Sequence, residues 1–235
     1  MTLHIGIVAC SAEGAALCYR TICTEAAAAL GPHRHPEVSM HTPSLHRYID
    51  CLDARDLEGV ASLMLESAHK LARTGADFLI CPDNTIHQAL SRVVARSPRP
   101  WLHIAEVVAD EAARRGFRRV GITGTRWLVD SDVYPEKLRA RGLEAVCPND
   151  AERDEISRII MDELVCSVFR PESIAYFQQV IGRMKNDACD AVALACTEIP
   201  LIIDDANSAL PTLDSTRLLA RAALKRAVQD AALAA

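Results

Sequence analysis

Ile5-Gly6-Ile7-Val8 and Val120-Gly121-Ile122-Thr123 share one pattern: a β-branched residue, a glycine, then two more β-branched residues. Each run has the length and composition of a strand buried on both faces. A second pair of segments matches at almost the same separation, Ala76-Asp77-Phe78-Leu79-Ile80 with Cys189-Asp190-Ala191-Val192-Ala193. Two matches at a shared spacing point to a duplicated unit, with two similar lobes facing each other across a cleft. The plain alternative is coincidence, because any chain of helix-turn-strand units repeats short motifs.

Outward from these runs, apolar segments alternate with longer helical stretches. Strands are expected at Ile5–Ala9, Val38–His41, Phe78–Cys81, Trp101–His103, Val120–Thr123, Glu144–Cys147 and Ala191–Ala195. Helices are expected at Ala15–Leu30, Leu57–Gly75, Ile86–Arg96, Ile104–Gly116, Ser131–Arg141, Asp154–Leu164, Glu172–Asn186 and Ser215–Ala234. This alternation is that of an α/β protein with parallel sheets flanked by helices. Gly75, Gly116 and Gly142 follow helical runs, where a left-handed C-cap is expected.

At 235 residues, half of them hydrophobic and 24% charged, the chain can bury one large core or two smaller ones. Its 26 basic against 31 acidic residues offer no basic field for nucleic acid or anionic membrane, so a small-molecule partner is expected. The run Ile5–Cys10 is too short for an export signal and reads as a strand, which sets the expected location in the cytoplasm, with the nine cysteines reduced. No metal site is expected: Cys18 and Cys23 lie five apart, and His33, His35, His41 and His46 supply no closing ligand pair. Gly121-Ile122-Thr123-Gly124 lacks the remaining glycines of a dinucleotide fingerprint, and no cofactor is expected.

If the duplication holds, Asp83-Asn84-Thr85 and Cys196-Thr197-Glu198 occupy equivalent strand ends, where open α/β sheets bind ligands. Two ionisable groups on opposite sides of a carbon acid can invert it, one taking a proton while the other delivers one. Cysteine suits the task with an unperturbed pKa of about 8.5, whereas aspartate, at about 3.9, needs burial or a neighbouring anion. Asn84, Thr85 and Thr197 are small donors able to hold a substrate carboxylate and the charge that develops on it. As plain alternatives, these three and Asp83 are helix caps and Cys196 is a small buried hydrophobe.

At this point the residues resemble the aspartate/glutamate racemase superfamily over nearly the whole chain. Gly121 to Arg126 with Tyr134 is similar to its glycine-threonine-arginine strand and following helix. Cys196-Thr197-Glu198-Ile199-Pro200 is similar to its second catalytic cysteine motif, and Asn84-Thr85-Ile86-His87 to the element after its first catalytic position. Ser11, Glu13 and Tyr19-Arg20 resemble its opening loop and helix, and Asp214-Ser215-Thr216 the turn before its last helix. The resemblance implies two Rossmann-like lobes with the active site between them. Residues 1–100 plus 208–235 would form one lobe, with the last helix returning to it, and residues 101–207 the other. It further implies a cofactor-independent amino-acid racemase acting on aspartate- or glutamate-type substrates, as a homodimer.

The departures bear on mechanism. Asp83 stands where many members carry the first catalytic cysteine, and Cys81 shares its face one pleat deeper. Cys196 and Asp83 are therefore the expected acid/base pair, with Ser11 and Thr125 as further contacts and Arg126 or Arg47 as a cation for a distal carboxylate. A single-cysteine decarboxylase or isomerase of a small carboxylic acid is the alternative in the same superfamily. A non-catalytic small-molecule sensor is the alternative outside it.

Overall fold

The computed structural model describes residues 2–233. The elements run β1 (Ile5–Val8), α1 (Ala12–Glu25), α2 (Ala27–Leu30), β2 (Val38–His41), α3 (Leu45–Asp53), α4 (Leu57–Arg73), β3 (Phe78–Ile80), α5 (Leu90–Val94) and α6 (Ile104–Arg114). They continue with β4 (Arg119–Thr123), α7 (Arg126–Val129), α8 (Val133–Arg139), β5 (Glu144–Val146), α9 (Asp150–Asp162), α10 (Pro171–Asn186), β6 (Ala191–Leu194), β7 (Thr212–Asp214) and α11 (Ser215–Leu233). Short 3₁₀ turns cover Thr85–Ala89, Leu164–Cys166 and Ile199–Leu201. The expected end of the last helix at Ala234 lies outside the described residues.

The chain divides into two compact units, one taking it up to Ile104 and again from Thr216, the other covering Ala105–Ser215. The first holds a parallel sheet ordered β2-β1-β3, the second a parallel sheet ordered β5-β4-β6-β7. In each sheet the strand that opens the duplicated motif is internal: β1 is flanked by β2 and β3, and β4 by β5 and β6. An α/β fold with two parallel sheets flanked by helices is thus the architecture.

The repeated residues do the same physical work in both units. A Cβ at Gly6 would stand 2.5 Å from Leu79 Cδ2, and one at Gly121 would stand 2.6 Å from Met184 Sδ, so the glycine admits a neighbouring side chain across the middle of the sheet. Asp77 accepts the backbone N–H of His4 at 2.8 Å, and Asp190 accepts those of Arg118 and Arg119 at 2.7 and 3.1 Å. Each aspartate therefore ties the loop before one strand to the beginning of its neighbour. Gly75, Gly116 and Gly142 take positive φ, as expected of C-caps.

In the first unit α11 is held by Leu3 N–H to Ala227 O at 2.9 Å, by Arg221 bidentate to Glu25 at 2.8 Å, and by the Arg226 guanidinium stacked 4.7 Å from the Phe78 ring centroid. In the second, Phe177, Val180, Ile181 and Met184 of α10 pack with Ile156, Ile159 and Ile160 of α9 and with Val192 and Leu194 of β6.

Several boundaries differ from the sequence expectation. Trp101–His103 is no strand; Trp101 makes a single bridge to Leu79, because α6 begins at Ile104 before pairing extends. The stretch from Ile86 to Arg96 is split between a 3₁₀ turn and α5. Helix α9 begins at Asp150 rather than Asp154, because Asn149 and Glu152 form a reciprocal capping box. Sequence pattern alone misses α3, which buries only Tyr48 and Leu52, and the three-residue β7, which pairs with β6. Among the described residues no helix is long and apolar enough to cross a membrane.

Candidate functional site

The loop after β3 belongs to the first unit. Asp83 Oδ1 accepts the Ile86 N–H at 3.0 Å, so the carboxylate caps the turn that starts at Thr85. His87, one turn further on, lies against the same loop, its Nδ1 2.6 Å from the Asp83 carbonyl. Its Nε2 accepts the Ile104 N–H at 3.3 Å, which leaves the proton on Nδ1 to donate to that carbonyl. The His103 ring sits 4.8 Å away. Asn84 and Thr85 are buried beside Asp83. The neighbouring strand β1 ends at the Ser11 loop, where Ser11 caps α1 by accepting the Gly14 N–H at 3.3 Å. Parallel pairing of β1 and β3 therefore brings Ser11 and Asp83 to Thr85 to one end of one sheet.

Cys81 lies deeper in the same strand end. Burial and the Asp83 charge push its thiol well above the ordinary range, which disfavours a thiolate there. Tyr48 is fully buried. Burial above all, with the nearby Asp83 charge, pushes its hydroxyl up as well.

The loop after β6 belongs to the second unit. Cys196 directly follows Ala195, whose N–H is held by Thr123 O of β4 at 2.8 Å. The Cys196 thiol donates to Glu198 Oε2 at 3.0 Å, and the Thr197 hydroxyl donates to the same oxygen at 3.1 Å. Glu198 Oε1 is buried without a partner, and a polar atom so placed costs about 1–3 kcal/mol unless the site has a use for it. On the adjacent strand Thr125 caps α7 by accepting the Leu128 N–H at 3.4 Å. Pairing of β4 with β6 thus gathers Thr125, Arg126, Cys196 and Thr197 at one end of the second sheet.

Arg126 faces a different task from the one expected of it. Its guanidinium pairs with Asp154 and, at 3.3 Å, with Asp130, so a distal substrate carboxylate would have to displace these partners. Arg47, in the first unit, pairs with Glu66 at 3.3 Å. Sequence reasoning missed the hydrogen bonds that Glu198 and His87 make. The signal was present: an acid two residues after Cys196, and a histidine one turn after Asp83. Among the described residues no two of the nine cysteines form a disulfide, and no three His, Cys, Asp or Glu side chains converge as metal ligands.

The sequence matches the Asp/Glu/Hydantoin racemase family over residues 5–223. The chain belongs to this racemase family. As a family member it is an isomerase, and its relatives agree. The broad specificity amino-acid racemase RacX of Bacillus subtilis is 25% identical over 169 residues, 71% of each chain. A candidate Asp/Glu racemase from Yersinia pestis superposes with a TM-score of 0.87 at 26% identity, covering 97% of this racemase-family chain and all of that one. An aspartate racemase homologue from Pyrococcus horikoshii gives 0.82 at 26% identity, covering 97% and 99%.

Proposed function

We propose that this family member is a cofactor-independent amino-acid racemase, acting by 1,1-proton transfer with Cys196 and Asp83 as its two acid/base groups. The observation that carries the reading is the Cys196 thiol, set at the end of β6 and hydrogen-bonded to a buried carboxylate. A merely structural cysteine needs no such partner. In one direction a base removes the α-proton and the electron pair of the broken C–H bond moves onto the substrate carboxylate. The other group then delivers a proton to the opposite face of the carbon, and its charge returns. Asn84, Thr85, Thr197, Ser11 and Thr125 are the proposed donors to the carboxylate, where charge builds up in the transition state.

Aspartate, glutamate and a wider set of amino acids are the proposed substrates, in keeping with the relatives above. Arg126 enters only if it exchanges Asp154 and Asp130 for a distal carboxylate. The proposal sets the enzyme in the cytoplasm, which keeps Cys196 reduced, and makes it a homodimer, checked by sedimentation.

One observation favours a second reading. Asp83 Oδ1 is engaged as a cap and the Cys81 thiol is held protonated, which leaves Cys196 as the one reactive thiol of the two strand-end loops. That is the arrangement of a one-base enzyme that protonates a single face after decarboxylation. Solvent deuterium at Cα, followed across an amino-acid panel together with optical rotation, separates the two. Exchange with inversion supports the racemase, and product formation with loss of carbon dioxide overturns it.

A further inference from the structure

Glu198 is the residue immediately before the 3₁₀ turn Ile199–Leu201, yet its side chain makes no capping bond to that turn. It folds back instead, so that one oxygen receives the Cys196 thiol at 3.0 Å and the Thr197 hydroxyl at 3.1 Å, while the other is buried with no partner. The carboxyl group is thus buried, unused by the helix end beside it, and turned onto the thiol and the hydroxyl. We propose that Glu198 is a positioning residue for Cys196: it aims the S–H, keeps the sulfur protonated at rest, and makes the thiolate a stronger base once the proton has gone. The inference rests on the reading of Cys196 as a proton-transfer group.

The physical reason is charge. Removing the thiol proton would place a second anion 3.0 Å from a carboxylate oxygen inside the protein, where like charges are poorly screened. The proton of the pair therefore stays on sulfur in the resting enzyme. A thiolate formed beside an anion holds its proton more tightly when it regains one, which is the property wanted in a base that must take hydrogen from carbon. In consequence the resting enzyme begins with the enantiomer whose Cα–H points away from Cys196. The ionisable groups on the elements around this strand end include Asp214, in register with Leu194 on β7, Tyr134 of α8, whose hydroxyl is pushed up by burial and by the Asp214 charge, and Arg126 of α7, whose guanidinium is already paired with Asp154 and Asp130.

The test is a pH titration of the ultraviolet thiolate absorbance, taken as the difference between each protein and its Cys196→Ala counterpart so that the other thiols cancel. Glu198→Gln keeps the size and the acceptor oxygen and removes the charge. The Cys196 midpoint is expected to fall by about one pH unit or more, and kcat for Cα exchange to fall with KM unchanged. A midpoint that stays or rises overturns the proposal. Should Glu198→Gln fail to fold, Glu198→Asp, which keeps the charge but draws it back from the sulfur, is expected to give a smaller fall, and no fall at all overturns it. The titration contains no substrate, so its outcome is separate from the exchange experiment that decides the racemase reading.

Discussion

His87 Nδ1 donates to the backbone carbonyl of Asp83 across 2.6 Å. The other nitrogen of the same ring accepts from Ile104 at the start of α6, so one buried imidazole braces the loop that carries Asp83. His87→Ala removes the ring partner of a carbonyl and of an N–H in a buried place. The expected cost is about 1–3 kcal/mol, read as a lower urea midpoint. An unchanged midpoint would show that the brace carries no weight.

Asp83 combines two roles that conservative substitution can separate. Asp83→Asn retains an oxygen for the Ile86 N–H and loses the carboxylate. Its stability is expected to stay within about 0.5 kcal/mol of the parent, while racemisation falls by about 10² to 10⁴. Asp83→Ala is expected to lose the cap as well, a further ~1 kcal/mol. If Asp83→Asn racemises normally, the carboxylate is a cap and nothing more. Asp83→Cys, by contrast, is expected to retain activity.

For Cys196 the expected effect of Cys196→Ser is a loss of about 10² to 10⁴ in Cα deuterium exchange, with the circular dichroism spectrum unchanged. Full exchange in this variant would remove the thiol from the mechanism.

Because the Arg126 guanidinium is already paired with Asp154 and Asp130, Arg126→Ala is expected to leave KM for aspartate unchanged. A clear rise in KM confined to dicarboxylic substrates would instead show that the arginine leaves its partners to bind them.

Glu25 and Arg221 clamp α11 to α1, and the arginine holds the Glu25 carboxyl below its ordinary range. A carboxylate lowered in the folded state stabilises above its unfolded pKa, and this contribution disappears as pH falls through the folded value. The pair is half exposed, so the expected loss in Glu25→Gln is less than about 1 kcal/mol near neutral pH, diminishing with salt and absent in acid. Thermal melts across pH and ionic strength check this, and a loss that persists in acid contradicts it.

Much of this molecule could be read from local patterns. Gly6, Gly121, Asp77 and Asp190 announced two similar units because close packing across a sheet and capping of a neighbouring strand demand those residue types at fixed spacing. The positive φ of Gly75, Gly116 and Gly142 followed from the same kind of rule. Short elements escaped because three or four residues carry too little periodicity, as with β7, or because a cap outweighs the apolar pattern, as with the start of α9 at Asn149.

By itself, the sequence determined the α/β class, the placing of Asp83 and Cys196 just after strands, and the resemblance to the racemase family. These depend on period, turn residues and short motifs, all of which are local. Only the tertiary structure decided which partners the side chains take: Arg126 with Asp154 and Asp130, His87 between Asp83 and Ile104, and Glu198 turned away from its own helix end onto the Cys196 thiol. Such pairings are settled by three-dimensional distance and burial, because a charged or polar group takes whatever partner packing brings within about 3 Å, and spacing along the chain does not record that distance.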